Sequence, residues 1–295
     1  MEIGIGLPST IPGIPGSLVA KWAMAAERAG FSTLGTIDRI VYGNLEPLAV
    51  MAAAAAVTER IRLTTSVLIG PYRGNGALLA KQLSTIDELS GRRLRVGLAV
   101  GLREDDYEAT GTSFRDRGRA FERQLAELCA IWSGESRGYA GAIRPGNAPP
   151  LLIGGNADAA FRRMAQFGTG WIFGGGGPEA FAVGASRARQ AWRQAGREGE
   201  PRLIVNVYAC LGVDAEAHAR RYLGDYYAFA KEYVDQIVAG ALTSPQAVAE
   251  AIADYAEAGC DELVLFPCNP DLAQVTLLAD AVNTAQRSRS RERPR

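Results

Sequence analysis

The sequence predicts an α/β protein in which eight parallel strands, each followed by a helix, close into a (β/α)8 barrel. Two observations predict this fold: short apolar segments alternate with helical segments along the chain, and glycine repeatedly ends a helix just before a strand. Strands that are apolar throughout are typical of a parallel sheet covered by helices. The glycines in AGF (29–31), FGT (167–169) and AGC (258–260) suit the left-handed turn that follows a helix. A doubly wound open sheet is the alternative.

The spacing of apolar residues places the individual elements. Candidate strands cover residues 2–7, 32–37, 61–69, 94–100, 151–154, 170–173, 203–211 and 262–266. Helices are predicted at 17–29, 47–58, 77–90, 116–132, 157–167, 178–195 and 270–286, with a longer helical region at 215–258. Within helices, apolar residues recur at steps of three and four, as in Leu18, Trp22, Ala25 and Ala29, so each helix presents one apolar stripe to the sheet.

The region 215–258 contains more helix than one crossover between strands needs, so we expect an insertion near strand 7. Residues 1–286 are expected to form a single domain. The segment 287–295 holds five arginines, one glutamate and no apolar residue, and this composition predicts a disordered basic tail. The alanine run at 52–56 would allow close packing against a second copy, which suggests a homodimer.

Composition restricts the classes of function. The chain carries 32 acidic and 32 basic residues, so it has no electrostatic footprint for nucleic acid or an anionic membrane. No run approaches the roughly 18 apolar residues of a membrane-spanning helix, and no basic leader precedes the first strand, so we expect a cytoplasmic protein. The single histidine, His218, excludes a His-rich zinc site and is expected on a helix surface. The four scattered cysteines are expected to be buried small hydrophobic residues.

The residues that follow each strand are the candidates for chemistry, because barrels of this kind keep their active sites at the carboxyl ends of the strands. Asp38, Arg39 and Tyr42 follow strand 2, and Glu104 follows strand 4. Asp38, Glu104 and Tyr42 are candidates for proton handling or substrate contact. Glu104 equally suits a plain role at a helix N-terminus, where acidic residues are favoured. A phosphate-handling lyase or isomerase that uses Asp38 and Lys81 is a further hypothesis, although Lys81 falls within a helix stripe.

Two glycine-rich loops provide the strongest chemical signal. The first contains Gly154, Gly155 and Asn156, and the second contains Gly174, Gly175, Gly176 and Gly177. Each opens a helix, so free backbone N–H groups and positive helix ends would face one region, which suits a phosphate. Glycine clusters also serve as tight turns without any ligand. No G-x-x-x-x-G-K-[ST] motif is present, so a Walker-type nucleotide hydrolase is not predicted.

Several stretches resemble the bacterial luciferase-like family of flavin-dependent oxidoreductases. The run from VTERIRLTTSVLIGPYR to LAELCAIWSG carries the likeness through the middle of the chain, and MEIGIGLP, PPLLIGGN and GTGWIFGGGGPEAF extend it to nearly the whole length. The DRG-R pattern, followed by a leucine-rich helix and a tryptophan, resembles a branch that often uses the deazaflavin coenzyme F-420 in place of FMN. The resemblance implies an enzyme that acts on a small organic substrate, by hydride transfer with F-420 or by monooxygenation with reduced FMN. A flavin-binding barrel without catalysis is the alternative.

The resemblance also implies roles for single residues. In the family, a bulge with a non-proline cis peptide supports the cofactor ring, and Ser66 and Val67 occupy the matching place in strand 3. The implied cofactor-binding residues are Ser66, Val67, Gly97, Ala99, Gly101, Gly154, Gly155, Asn156, Gly174, Gly175 and Gly176, and the implied catalytic residues are Asp38, Arg39 and Glu104.

Two positions depart from the family pattern. Arg39 stands where several deazaflavin dehydrogenases carry a histidine, and Ala99 stands where strand 4 usually has a glycine. Arg39 is therefore expected either to hold an anionic substrate or to form an ion pair with Asp38 or Glu104.

Overall fold

The computed structural model describes residues 1–135, 137–139, 141–143 and 148–292. Eight parallel strands form a closed barrel in which each strand pairs with its neighbours in chain order. The strands are β1 (Glu2–Gly6), β2 (Thr33–Thr36), β3 (Arg62–Ile69), β4 (Leu94–Ala99), β5 (Leu151–Gly154), β6 (Gly170–Gly174), β7 (Arg202–Ala209) and β8 (Glu262–Pro267). The predicted barrel is confirmed, and every predicted strand overlaps an observed one.

The pairing of β1 with β8 closes the barrel, with Ile3 opposite Leu263. The register between β3 and β4 shifts between Thr65 and Leu68. Such a bulge bends a strand and redirects its side chains. The bulge therefore changes the direction of β3 near its carboxyl end, where the site is expected.

Helices cover the outside of the barrel. They are α1 (Ser17–Arg28), α2 (Pro47–Ala56), α3 (Gly76–Leu89), α4 (Glu104–Ala109), α5 (Arg117–Trp132), α6 (Asp158–Phe167), α7 (Gly177–Gln194), α8 (Ala215–Tyr226), α9 (Val234–Ala239), α10 (Pro245–Glu257) and α11 (Ala273–Glu292). The sequence prediction missed α4 and a short antiparallel hairpin formed by Arg137–Gly138 and Gly141–Ala142.

The predicted insertion near strand 7 is confirmed. Between β7 and α10 the chain forms α8, a 3-10 turn at Ala228–Ala230 and α9. It then returns to the barrel, where the Leu242 N–H donates to the carbonyl of Tyr208 at 2.9 Å and the Leu242 carbonyl accepts from Cys210 N–H at 2.9 Å. The insertion is thereby anchored at the carboxyl end of β7.

A buried ion pair lies at the amino-terminal end of the barrel. Arg95 Nη2 lies 2.7 Å from Glu262 Oε2, and the Glu262 side chain is fully buried. Burial acts to raise the pKa of Glu262, but Arg95 and hydrogen bonds from Ser32 and Thr33 outweigh it and lower the pKa to about 2. This end of the barrel therefore contributes to stability, as is general for barrels with active sites at the opposite end.

The last helix extends beyond its predicted end. Helix α11 continues to Glu292, so residues 287–292 are helical where a disordered segment was predicted. Arginine and serine are compatible with a continuing helix, and residues 293–295 lie outside the described part of the chain.

Cys210, Cys260 and Cys268 are buried as expected, whereas Cys129 is only partly buried. Among the described residues, no helix combines the length and apolar character needed to cross a bilayer.

Candidate active site

An apolar cluster fills the barrel interior and extends to the carboxyl ends of the strands. Its buried members are Leu152, Ile172, Ile204, Val264 and Phe266, and the partly buried Ile37, Val67 and Tyr208 pack against them. The last three lie near or just beyond the carboxyl ends of β2, β3 and β7. They give the mouth of the barrel an apolar floor.

The β3 bulge lies at this mouth. The peptide bond between Ser66 and Val67 is cis, which confirms the form implied by the resemblance. Asn206 of β7 donates from Nδ2 to the Ser66 carbonyl at 2.8 Å. The Ser66 hydroxyl and Asn206 Oδ1 are buried, and neither has a hydrogen-bond partner among the described residues.

Val67, Ala99 and Gly154 come together beside the bulge. A Cβ built on Gly154 would lie 3.1 Å from Val67 Cγ1 and 3.3 Å from Ala99 Cβ. These three residues therefore form one continuous apolar surface, because Gly154 carries no side chain to separate them. The extra methyl of Ala99, which departs from the family pattern, packs in the space that Gly154 leaves free.

The local structure explains why positions 97 and 101 are glycine. A Cβ on Gly97 would lie 2.1 Å from the carbonyl oxygen of Thr65 and 2.5 Å from Ile172 Cδ1, which belong to the barrel wall and interior. Gly101 has a φ of +69°, and a Cβ there would lie 2.9 Å from Ile69 Cγ2. Close strand packing and a left-handed turn account for these glycines, and their contact with a cofactor stays a prediction.

The two glycine-rich loops open α6 and α7, as predicted. Gly155 has a φ of +115°, and Gly175 and Gly176 have φ values of +93° and +109°. Gly174 is exposed and has open space where a Cβ would lie. Both loops are therefore accessible turns whose backbones need glycine, which is compatible with a phosphate and also with turns alone.

Arg187 of α7 contacts the first of these loops. Its Nη1 donates to the Asn156 carbonyl at 3.0 Å, and its guanidinium pairs with Asp158 in the first turn of α6. The region expected to hold a phosphate thus contains a cation that is already paired with a carboxylate.

Asp38 is held by Arg73. Asp38 Oδ2 accepts from Arg73 Nε at 3.0 Å and from the Ile69 N–H at 3.0 Å, while Oδ1 accepts from Arg73 Nη2 at 2.9 Å. The Asp38 side chain is fully buried, and Arg73 also pairs with Glu46 at 3.0 Å. Burial acts to lower the pKa of Arg73, but Asp38 raises it above its usual value, so the guanidinium is charged.

Arg39 has different partners from those expected. Its Nη2 lies 3.6 Å from Asp105 Oδ2, and its Nη1 donates to the Tyr226 carbonyl at 3.1 Å. The expectation of an ion pair with Asp38 or Glu104 is therefore wrong, because Arg73 occupies Asp38 and the Arg39 guanidinium lies beside Asp105. The Arg39 side chain is 9% exposed, and its buried Nε has no partner among the described residues.

Helix α4 carries two acidic residues with different surroundings. Glu104 is exposed in the first turn of α4. Asp106 is buried, and its Oδ1 accepts from the N–H groups of Ile40 and Val41 at 3.0 and 2.7 Å. Asp106 therefore anchors the loop after β2, which carries Arg39.

Two arginines hold the insertion on the rim. Arg39 and Arg103 each donate from Nη1 to the carbonyl of Tyr226, the last residue of α8, at 3.1 Å. The Arg103 guanidinium lies 4.5 Å from the ring centre of Tyr226 and 4.0 Å from that of Phe229. Cations near a helix C-terminus and over aromatic rings are both favourable, so these contacts attach the insertion to the loops after β2 and β4.

Tyrosine hydroxyls of the insertion reach the barrel mouth. The hydroxyls of Tyr208 and Tyr227 lie 2.9 Å apart, and Tyr222 donates to Thr10 Oγ1 at 2.7 Å. Burial, followed by the neighbouring tyrosines, raises the pKa of Tyr208 well above its usual value. Tyr42 donates to Asp225 at 2.5 Å, and burial together with Asp225 raises its pKa. These phenols therefore stay protonated at neutral pH.

Two residues considered for other chemistry lie away from the mouth. Lys81 is exposed on α3, on the outer side of the barrel, so the hypothesis that pairs it with Asp38 in a lyase or isomerase is wrong. His218 lies on α8 beside Arg221, at 3.0 Å, as expected of a helix surface residue. Among the described residues, no group of three or more His, Cys, Asp or Glu side chains is arranged to hold a metal ion.

Comparison with known proteins identifies the family. The sequence model of luciferase-like monooxygenases matches residues 1–239. The chain belongs to this family. Its members are flavin- or deazaflavin-dependent oxidoreductases and monooxygenases, so the luciferase-like chain is an enzyme of that class.

Individual relatives span both cofactors. The luciferase-like chain is 30% identical to an uncharacterized protein of Mycobacterium tuberculosis over 207 residues, which are 59% of this chain and 71% of that one. It is 29% identical to an FMNH2-dependent dimethylsulfone monooxygenase of Pseudomonas fluorescens over 171 residues, 52% of this chain and 46% of that one. Its fold is similar to that of an F-420-dependent secondary alcohol dehydrogenase, with a TM-score of 0.81, 15% identity and coverage of 97% and 99% of the two chains.

Several site residues were missed from the sequence. Asn206 lies inside an apolar strand, Arg73 follows β3 without a recognisable motif, and Asp106 falls in a run of acidic residues. Tyr208 lies in β7, and Tyr227 gains its position from the insertion. The one available signal was the alternation within β7, where a polar Asn206 occupies a position that should face the barrel interior.

Proposed function

We propose that the luciferase-like chain binds coenzyme F-420 or reduced FMN at the mouth of its barrel and presents it to a small organic substrate. The observation that carries this proposal is the continuous apolar surface of Val67, Ala99 and Gly154 beside the β3 bulge. A planar ring system needs such a face together with a few polar groups at its edge. The unpartnered Ser66 hydroxyl and Asn206 Oδ1 fit that requirement.

The cofactor would supply a hydride in the F-420 case and an activated oxygen in the FMN case, and the protein would bind, orient and exclude water. An F-420-dependent structural neighbour and an FMNH2-dependent relative support either cofactor. The backbone N–H groups of Gly155, Asn156 and Gly174 to Gly176 are the proposed phosphate contacts, because both loops are accessible and open helices. Gly97 and Gly101 would shape the adjoining wall.

Asp38 is proposed as a positioning residue, since both of its oxygens already accept hydrogen bonds. Arg39 is the proposed contact for an anionic group of the substrate, because its Nε is unsatisfied and its carboxylate partner is 3.6 Å away. In the Tyr208–Tyr227 pair one hydroxyl donates to the other, and the remaining O–H would donate a hydrogen bond to the substrate from the mouth. Glu104 keeps a proposed proton-handling role at the exposed rim.

A homodimer through α2 and α3 is also proposed. Ala53 and Ala56 of α2 are exposed, and so are Leu78 and Leu89 of α3, at 57% and 56%. Small and apolar exposed residues on adjacent helices suit close packing against a second copy.

A paired titration tests the proposed function. The protein is titrated with FMN, with anaerobically reduced FMN and with F-420, and binding is followed by fluorescence. We expect a Kd of about 1–10 μM for one ring system, corresponding to roughly 7–8 kcal/mol of binding free energy. The absence of binding by all three ligands below about 1 mM contradicts the proposal.

A flavin-binding barrel without catalysis is the second candidate, and the full occupation of Asp38 favours it. Binding of a cofactor without turnover over a broad panel of alcohols, aldehydes, ketones and sulfur compounds would select this candidate. Consumption of the reduced cofactor that depends on substrate would select the enzyme.

A further inference from the structure

Asn206 spans the barrel. The strand order places β7 and β3 four strands apart in either direction around the barrel, so they face each other across its axis. The hydrogen bond from Asn206 Nδ2 to the Ser66 carbonyl, at 2.8 Å, therefore crosses the interior. Asn206 lies between Ile204 and Tyr208, both of which belong to the interior cluster, so its side chain shares their face of β7.

This crossing leaves two polar atoms unsatisfied. Ser66 Oγ and Asn206 Oδ1 are buried and have no hydrogen-bond partner among the described residues. Ser66 as a whole is 3% exposed. A buried polar atom without a partner is unfavourable, and a ligand that supplies the missing hydrogen bond removes that penalty. The neighbouring polar group is satisfied, since Thr65 Oγ1 accepts from the Gly97 N–H and donates to the Gly97 carbonyl, both at 2.8 Å. Two of the unsatisfied buried atoms therefore belong to the two residues that this hydrogen bond joins.

The chemistry of the two atoms is complementary. The hydrogen bond from Asn206 Nδ2 to a carbonyl fixes the orientation of the amide, and Oδ1, which is an acceptor, has no partner among the described residues. The Ser66 hydroxyl can donate as well as accept. An acceptor and a donor together complement an imide, in which an N–H group lies between two carbonyl groups. The acceptor can receive the N–H, and the donor can bond to one of the carbonyls. Flavin and deazaflavin rings both carry an imide in their pyrimidine ring, whereas their opposite edge lacks one.

We propose that Asn206 and Ser66 form the recognition pair for the imide edge of the cofactor ring. Asn206 Oδ1 accepts from the imide N–H, and the Ser66 hydroxyl donates to the adjacent carbonyl. At the same time, Asn206 Nδ2 donates to the Ser66 carbonyl. The Asn206 side chain therefore both positions the β3 bulge and recognises the cofactor ring. This inference rests on the proposed function and adds to it the orientation of the ring, with its pyrimidine end toward β7.

Binding of N3-methylated rings tests the proposal independently of turnover. Flavin or deazaflavin fluorescence is used to measure the affinity for FMN and 3-methyl-FMN, and for the riboside of deazaflavin and its 3-methyl form. We expect the wild-type protein to bind the methylated ring at least tenfold more weakly, about 1.4 kcal/mol. Asn206→Leu removes the acceptor, and its preference for the unmethylated ring should fall below about threefold.

Two further variants keep the test decisive if Asn206→Leu fails to fold. Ser66→Ala removes only the hydroxyl and should weaken binding of the unmethylated ring about three- to tenfold. Ser84→Ala is the matched control, since it removes a buried hydroxyl that accepts from Trp132 Nε1 at 3.0 Å outside the barrel, and its ring affinity should not change.

The failures are distinguishable. Equal binding of methylated and unmethylated rings by the wild-type protein, or an unchanged preference in Asn206→Leu, overturns the recognition pair while the proposed function stands. If no ring binds at all, the proposed function fails and the recognition pair fails with it.

Discussion

Arg73 and Asp38 form a two-point ion pair at the rim of the barrel, with Nε to Oδ2 at 3.0 Å and Nη2 to Oδ1 at 2.9 Å. The pair joins the end of β2 to the turn that follows β3. Arg73 extends the connection to Glu46, which caps α2 by accepting from the Ala49 N–H. Three hydrogen bonds at the mouth, two to Asp38 and one to Glu46, therefore depend on one guanidinium.

Removal of this guanidinium should destabilise the protein. Arg73→Ala leaves the buried Asp38 carboxylate without its charge partner, and we expect the free energy of unfolding to fall by about 3–5 kcal/mol. Arg119→Ala is the control, because Arg119 is 79% exposed and pairs with a half-exposed Asp116, and it should leave the free energy of unfolding nearly unchanged. Urea unfolding followed by tryptophan fluorescence measures both. Equal losses in the two variants would refute the central role of Arg73.

Acid should weaken the ion pair at the other end of the barrel. Glu262 has a folded-state pKa of about 2 and an ordinary value of 4.5, so its contribution is full above pH 4.5 and is lost as the pH falls toward 2. The difference corresponds to about 3 kcal/mol. The wild-type protein should therefore exceed Glu262→Gln in stability at pH 6, and the gap should shrink between pH 4.5 and pH 2.5. A gap that does not depend on pH in urea unfolding would contradict this cause.

Asp106 should limit the opening of the loop after β2 and should not be needed for the overall fold. Asp106→Ala removes the acceptor for the Ile40 and Val41 N–H groups, so their amide hydrogen exchange should accelerate at least about tenfold. Glu108→Ala, an exposed change on the same helix, should leave exchange at both amides unchanged. Protection that survives in Asp106→Ala would show that other contacts hold the loop.

Arg103 should hold the insertion to the rim. Arg103→Ala removes a hydrogen bond to the Tyr226 carbonyl and the contact with Phe229, so residues 227–239 should exchange and be cleaved by protease about three- to tenfold faster. Arg220→Ala provides the comparison, since Arg220 makes only an exposed pair with Asp235 across the same insertion. Indistinguishable cleavage rates in the two variants would sink this assignment.

The fold could be predicted because its signals are local. Each strand of the barrel is an apolar run, and glycines such as Gly30 and Gly259, with φ of +85° and +80°, end helices directly before strands. The short helix α4 was missed because it lies in an acidic stretch without an apolar stripe. The helical continuation of α11 was missed because composition alone does not report the end of a hydrogen-bonded helix.

Two backbone features of the site were foreseen from the sequence. The glycine-rich turn at Gly154 was predicted from residue type, whereas the bulge at Ser66 was implied by the resemblance to the luciferase-like family. Side-chain partners were not predictable, because Asp38 meets Arg73 and Asn206 meets Ser66 only after distant segments come together in the barrel. The partner of Arg39 was predicted wrongly for the same reason: Asp105 and Glu104 are adjacent in sequence but differ in direction on α4.

The most direct measurement of the central claim is the affinity of wild-type protein and Ala99→Phe for FMN and F-420. Ala99 is 8% exposed on the surface shared with Val67 and Gly154, so a phenyl ring there would fill the space proposed for the cofactor ring. Ala195→Phe, at the exposed residue that directly follows α7, is the matched control. We predict a loss of at least tenfold in affinity for Ala99→Phe, about 1.4 kcal/mol, with near-native circular dichroism and unchanged binding by Ala195→Phe. Full affinity in a folded Ala99→Phe would contradict the placement of the ring at this mouth.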